Sequence, residues 1–274
     1  MPAVTSKDGT KIAFDKVGFG PAVILINGAM SYRAFDPTLG QLAEELGKHF
    51  TVYNYDRRGR GESGDTKPFT KVREIEDVQA LIAAAGGKAM LFGVSSGGAI
   101  ALETAAVTPG VTKVVVYEIP FIVDDSRKPV HGYEARSSKL VAEGKLDELM
   151  NVLIPEVFGM EQDETKKDDG AEQSADMDGM MKAMYAVLPT IPHDAAFVSQ
   201  FMEGKPLSDA YWSKVSVPVL VGDGGASPAW LHNAAEALGK TLPHASRETF
   251  AGQTHMFDPK ALAPSLITFY KGDI

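Results

Sequence analysis

The 274 residues include no cysteine, which excludes disulfides, thiol nucleophiles and cysteine-ligated zinc. Excess positive charge is missing too: 27 Lys and Arg stand against 36 Asp and Glu. A formal net charge of -9 leaves nothing to offset phosphate repulsion, so nucleic acid is not an expected partner. No apolar run approaches the roughly 20 residues of a membrane span. The first residues, Met1-Pro2-Ala3-Val4-Thr5-Ser6-Lys7-Asp8, hold no signal-peptide core. A cytoplasmic protein without a membrane partner is the expectation, and oligomeric state leaves no mark in the sequence.

What is present is ordinary globular material, 44% hydrophobic and 23% charged, long enough for one large α/β domain or for a core plus a lid. Val4 to Val17 reads as a hairpin around Asp8-Gly9. Ala22 to Ile26, Thr51 to Tyr55, Lys88 to Phe92, Thr112 to Tyr117 and Val217 to Val221 are short apolar runs, as strands covered on both faces require. Helical patterns separate them. One runs from Pro37 to Lys48 with Leu39, Leu42, Ala43 and Leu46 on one face; another carries Val72, Ile75, Val78, Ile82 and Ala85. Strands joined by helices run parallel, through right-handed crossovers.

One stretch carries chemistry. The strand ending at Phe92 leads into Gly93-Val94-Ser95-Ser96-Gly97, and an alanine-rich helix follows. A G-x-S-x-G turn needs its glycines because the chain reverses within about three residues, leaving Ser95 projecting above the sheet. A dinucleotide fingerprint would want glycine where Ser95 stands, and a phosphate loop would want Gly-Lys-Ser/Thr. The loop Asp56-Arg57-Arg58-Gly59-Arg60-Gly61-Glu62-Ser63-Gly64 reads either as a phosphate site or as a tight strand-to-helix connection. From Phe121 to about Ala210 the strand and helix alternation lapses, and the span holds seven of the eleven methionines. Met180, Met181, Met184, Tyr185, Leu188 and Phe201 there would line an apolar pocket or form the lid's own core, while the polar stretch Glu161 to Asp178 reads as a mobile loop.

Together, Asn27-Gly28-Ala29 after the third strand, the Asp56 to Ser63 loop, the Gly93 to Gly97 turn and His255 near the end resemble the α/β-hydrolase family over nearly the whole chain. The resemblance implies an α/β fold with an eight-stranded, mostly parallel sheet and a helical lid after strand six. The core would comprise residues 1–120 and 211–274, the lid 121–210. It also makes the arginine loop a connection beside the site. Ser95 would be the nucleophile and His255 its base, with no metal or organic cofactor. The backbone amides of Ala29 and Ser96 would form the oxyanion hole, assisted by Met30.

The acid departs from the family pattern, since Gly224-Gly225-Ala226-Ser227 puts serine where an aspartate is usual. Glu118 ends strand six, the place from which haloalkane dehalogenases and zearalenone lactonases supply their acid, and Glu118-Ile119-Pro120 resembles the lactonase run. Asp223, by a shifted register, is the alternative acid; a site without an acid is the third. The expected activity is hydrolysis of a small carboxylic ester or lactone with an apolar group. Non-hydrolytic binding of a small molecule, or lyase or carbon–carbon bond cleavage chemistry on the same fold, is the alternative.

Overall fold

The structure, a computed structural model, describes residues 2–159 and 175–272. Its strands are β1 (Ala3–Thr5), β2 (Lys11–Gly18), β3 (Ala22–Ile26), β4 (Thr51–Tyr55), β5 (Ala89–Val94), β6 (Val111–Tyr117), β7 (Val219–Gly224) and β8 (Ala245–Phe250). They form one eight-stranded sheet in the order β1-β2-β4-β3-β5-β6-β7-β8. The β1–β2 and β2–β4 pairs are antiparallel, and every later pairing is parallel.

The continuous apolar runs bury both faces, as a sheet sandwiched between helices requires. Alternate residues of one strand enter different cores: Val23 and Leu25 of β3 lie on one side, Ile24 and Ile26 on the other. The first side is closed by α1 (Thr38–Gly47) and α11 (Pro259–Lys271) through Leu39, Leu42, Leu46, Leu262 and Leu266. Against the other pack α2 (Lys71–Ala84), α3 (Ser96–Val107) and α10 (Ala229–Thr241).

Helix α1 buries the four residues expected of it. Helix α2 does not: Ile75, Val78 and Ile82 are buried, joined by Leu81, but Val72 is exposed. At about 100° per residue Val72 stands off the edge of that stripe. The stripe is instead extended by the carboxylates of Glu74 and Asp77, buried because Arg57 and Arg58 neutralise them.

Between β6 and β7 lie α4 (Tyr133–Ala142), α5 (Leu146–Glu148), a π-helical turn Leu149–Leu153, α6 (Ile154–Phe158), α7 (Ala175–Val187), α8 (Ile191–Val198) and α9 (Asp209–Trp212). The rings of Phe121, Phe201 and Trp212 pack together here, with centroids 4.6 Å apart for Phe121–Phe201 and 5.3 Å for Phe201–Trp212. Phe201 and the buried Leu188 thus belong to this segment's packing, and Tyr185 donates its hydroxyl to Asp147 at 2.6 Å. Of the loop expected at Glu161 to Asp178, the part up to residue 174 lies outside the described residues; the remainder begins α7. No helix among the described residues is long and apolar enough to cross a membrane.

In α8, His193 is 2% exposed and stacks on Phe69 at 3.7 Å, and its Nδ1 has no hydrogen-bond partner among the described residues. Burial pushes its imidazole down to about 4. The unfolded chain takes up this proton below roughly pH 6.5 while the folded one does not, so folding stability falls as pH drops below that point. Denaturant midpoints should decline from pH 6.5 to 5 in the wild type and decline less in His193→Phe; equal slopes would contradict this account.

Candidate active site

Ser95 sits between β5 and α3 at φ 55° and ψ -131°, in the left-handed region that side chains avoid. The turn is possible because its neighbours are glycines. A Cβ on Gly93 would lie 2.3 Å from the Gly97 carbonyl oxygen, and one on Gly97 would lie 2.3 Å from that of Ile26. Across the sheet, the Ser95 amide donates to the Tyr117 carbonyl at 2.9 Å, holding the turn to the end of β6.

His255 lies in the loop from β8 to α11, and its Nδ1 is 2.9 Å from Glu118 Oε2. Glu118 directly follows β6, is 2% exposed, and accepts the Gly224 amide on Oε1 at 2.8 Å. An ionised carboxylate only accepts, so Nδ1 carries the proton and Nε2 is left as an acceptor. The Tyr117 hydroxyl donates to the Thr254 carbonyl at 2.7 Å, fixing the residue before His255. Among the described residues, the non-glycine residues with positive φ are Met30, Ser95 and Glu118. Such strain costs roughly 1–3 kcal/mol each and collects where structure serves a site.

Asp223, the other candidate acid, lies within β7 and not in the loop beyond it. It bonds His232 Nδ1 at 2.6 Å, Arg247 Nε at 3.1 Å and Thr249 Oγ1 at 3.1 Å, so both its oxygens are already taken by other partners.

Ala29 follows β3, Ser96 opens α3, and both line one cavity with Ser95 and His255. As the first residue of α3, Ser96 presents its amide at the positive end of a helix. The loop carrying Ala29 is braced from beneath: Arg60 Nη1 donates to the Gly28 carbonyl at 2.7 Å and Arg57 Nη1 to that of Asn27 at 3.3 Å. Asn27 Oδ1 also accepts from the Ser31 hydroxyl at 3.0 Å.

The arginine loop is therefore a buried scaffold. Arg57 pairs with Glu74 at 2.7 Å, and Arg57 and Arg60 both pair with Asp194 of α8, all at most 1% exposed. Asp194 also accepts the Ser96 hydroxyl at 2.7 Å. Burial alone would raise its pKa, but the two guanidiniums and the Ser96 bond outweigh this and hold it at about 2. Sequence reasoning missed Asp194. The signal available was indirect, since three arginines in a buried connection demand carboxylates from elsewhere in the chain.

The cleft has two lobes that meet at Ala29, Ser95, Phe158 and His255. The inner lobe, about 210 Å³, is walled by Tyr133, Val157, Val198, Trp230 and Leu231 with Asp194. The outer lobe, about 510 Å³, is lined by Met30, Phe35, Leu39, Met180, Met256 and Phe257. Of the six residues expected around a pocket, Met180 alone is in this lining.

Residues 23–264 match the Alpha/beta hydrolase family, so the chain belongs to that family. An alpha/beta hydrolase from Sphaerobacter thermophilus DSM 20745 superposes with a TM-score of 0.80 at 41% identity, covering 98% of this chain and 100% of that one. The enol-lactonase from Burkholderia xenovorans LB400, at 18% identity and TM-score 0.69 over 99% of this chain and 100% of its own, shares the fold. A pimeloyl-[acyl-carrier protein] methyl ester esterase of Xanthomonas campestris pv. campestris (strain B100) is 38% identical over 99 residues, 35% of this chain and 36% of the esterase. The match spans about a third of that relative's length.

Replacing Asp194 by Asn would leave Arg57 with Glu74 as its one ion-pair partner and the buried Arg60 with none among the described residues. Breaking such a network costs about 3–5 kcal/mol. Urea unfolding should show a loss of that order; a loss below about 1 kcal/mol would contradict the scaffold role.

Proposed function

We propose that the protein is a serine hydrolase that cleaves a small carboxylic ester or lactone bearing an apolar group. Ser95 is the nucleophile: its hydroxyl attacks the carbonyl while His255 Nε2 takes the proton. Glu118 holds His255 in the tautomer that leaves Nε2 free, and its charge stabilises the imidazolium as it forms. The oxyanion is received by the Ala29 and Ser96 amides, each worth roughly 2.7–4 kcal/mol in comparable sites. His255 then protonates the leaving alcohol, and the acyl group stays on Ser95. Water, deprotonated by His255, releases the acid and restores the serine.

The observation that carries this reading is the bond between His255 Nδ1 and Glu118 Oε2, 2.9 Å long, beside a cavity that both His255 and Ser95 line. Glu118 is preferred over Asp223 because Asp223 is already bonded to His232, Arg247 and Thr249. The mostly apolar walls of both lobes favour an apolar substrate. The helices between β6 and β7, residues 121–210 on this reading, act as the lid over a core of residues 1–120 and 211–274. Esterase relatives and a lactonase of like fold agree with this chemistry.

Steady-state hydrolysis of para-nitrophenyl acetate and butyrate tests the assignment. Ser95→Ala should abolish turnover, and Glu118→Gln should lower kcat by about 10³–10⁴ with little change in KM. Full activity in Glu118→Gln together with loss in Asp223→Asn would transfer the acid role to Asp223.

A further inference from the structure

The inner lobe is apolar along its sides and polar at particular points. Val157, Val198 and Leu231 are buried walls, and the space of about 210 Å³ exceeds the roughly 150 Å³ that accommodates a benzene molecule. A single ring, or a branched group of that size, fills it. Two polar groups face the same space. Tyr133 is 1% exposed, and no hydrogen bond to its hydroxyl is seen among the described residues. A phenol that opens onto the cavity without a protein partner is free to donate to a ligand atom there. Burial and the nearby Asp194 charge raise the phenol's pKa, so it remains a neutral donor.

Asp194 is the second group. Its Oδ1 accepts from both Arg57 and Ser96, whereas Oδ2 accepts from Arg60 alone, leaving one lone pair open. Arg57 and Arg60 are already paired, so a ligand carboxylate would be buried here without a free cation and would have no proton to give to the open lone pair. A hydroxyl group is the smallest oxygen function that is neutral, accepts from a phenol and also donates to a carboxylate. Resting on the hydrolase reading above, we propose that the inner lobe selects a neutral, ring-sized portion of the ester that carries a hydroxyl group, with the Tyr133 phenol as its hydrogen-bond donor. Tyr133 is thereby a specificity-determining residue, and esters whose ring bears a carboxylate are excluded.

The test compares matched esters with the hydroxyl on either side of the scissile bond: methyl phenylacetate and phenethyl acetate, each against its meta- and para-hydroxy analogues. The para-carboxylate of methyl phenylacetate serves as the anionic probe. In at least one pair the hydroxylated ester should be preferred by about tenfold or more in kcat/KM, and the carboxylate disfavoured by about a hundredfold. Tyr133→Phe should bring the hydroxyl preference close to one. Calorimetric binding of the same compounds to Ser95→Ala separates the two readings. A hydroxyl preference in binding without any wild-type turnover sinks the hydrolase reading and leaves the lobe proposal standing. Turnover with ratios within about twofold in every pair overturns the lobe proposal and spares the hydrolase. Should Tyr133→Phe fail to fold, the wild-type ratios and the Ser95→Ala binding still decide.

Discussion

The carboxylate of Glu118, buried at the end of β6, is the constraint around which the cleft is arranged. An unpaired charge there would be prohibitive, so both oxygens must be satisfied: the Gly224 amide takes one and the His255 ring the other. The Glu118 amide in turn donates to the Gly222 carbonyl at 3.0 Å, so three separate bonds hold the residue in a backbone conformation it would otherwise avoid. These bonds join β6, β7 and the loop after β8. They fix where His255 stands relative to the turn at Ser95, which β6 also grips through Tyr117.

A second set of buried charges supports the opposite wall. Arg57 and Arg60 reach up to the Asn27–Gly28 carbonyls, outward to Glu74 and across to Asp194. Asp194 belongs to α8 and bonds Ser96 of α3, so one carboxylate ties the helices between β6 and β7 to both segments that supply oxyanion amides on the proposed mechanism. Preorganised donors of this kind act without rearranging as charge develops, which is the physical source of their catalytic value. The same carboxylate gives the inner lobe its electrostatic character, so scaffold and selectivity are linked through one residue.

Much of this was legible in the sequence where the signal was local. The apolar strands, the amphipathic α1 and the glycine spacing around Ser95 follow from short-range rules, and the structure has these elements within a few residues of the expected bounds. Features built from distant residues were not legible. Arg57 and Asp194 are separated by 137 positions, and no periodicity marks either as the other's partner. Val72 lies outside the buried stripe that its hydrophobic side chain suggests, because Glu74 and Asp77 occupy that face through ion pairs. Strand β7 outlasts its apolar run, continuing through Asp223 to Gly224, and this extension turns Asp223 towards β8 and α10. Glu118 was reachable only through family resemblance, since its value depends on a histidine that lies 137 positions away.

The central claim is that Glu118 and His255 together activate Ser95. The rate of covalent labelling by a fluorophosphonate, with the site mapped by peptide mass spectrometry, tests it most directly. The account predicts labelling at Ser95 in the wild type and a rate lower by at least about a hundredfold in Glu118→Gln. No label on Ser95, or an equal rate in the two proteins, would contradict it.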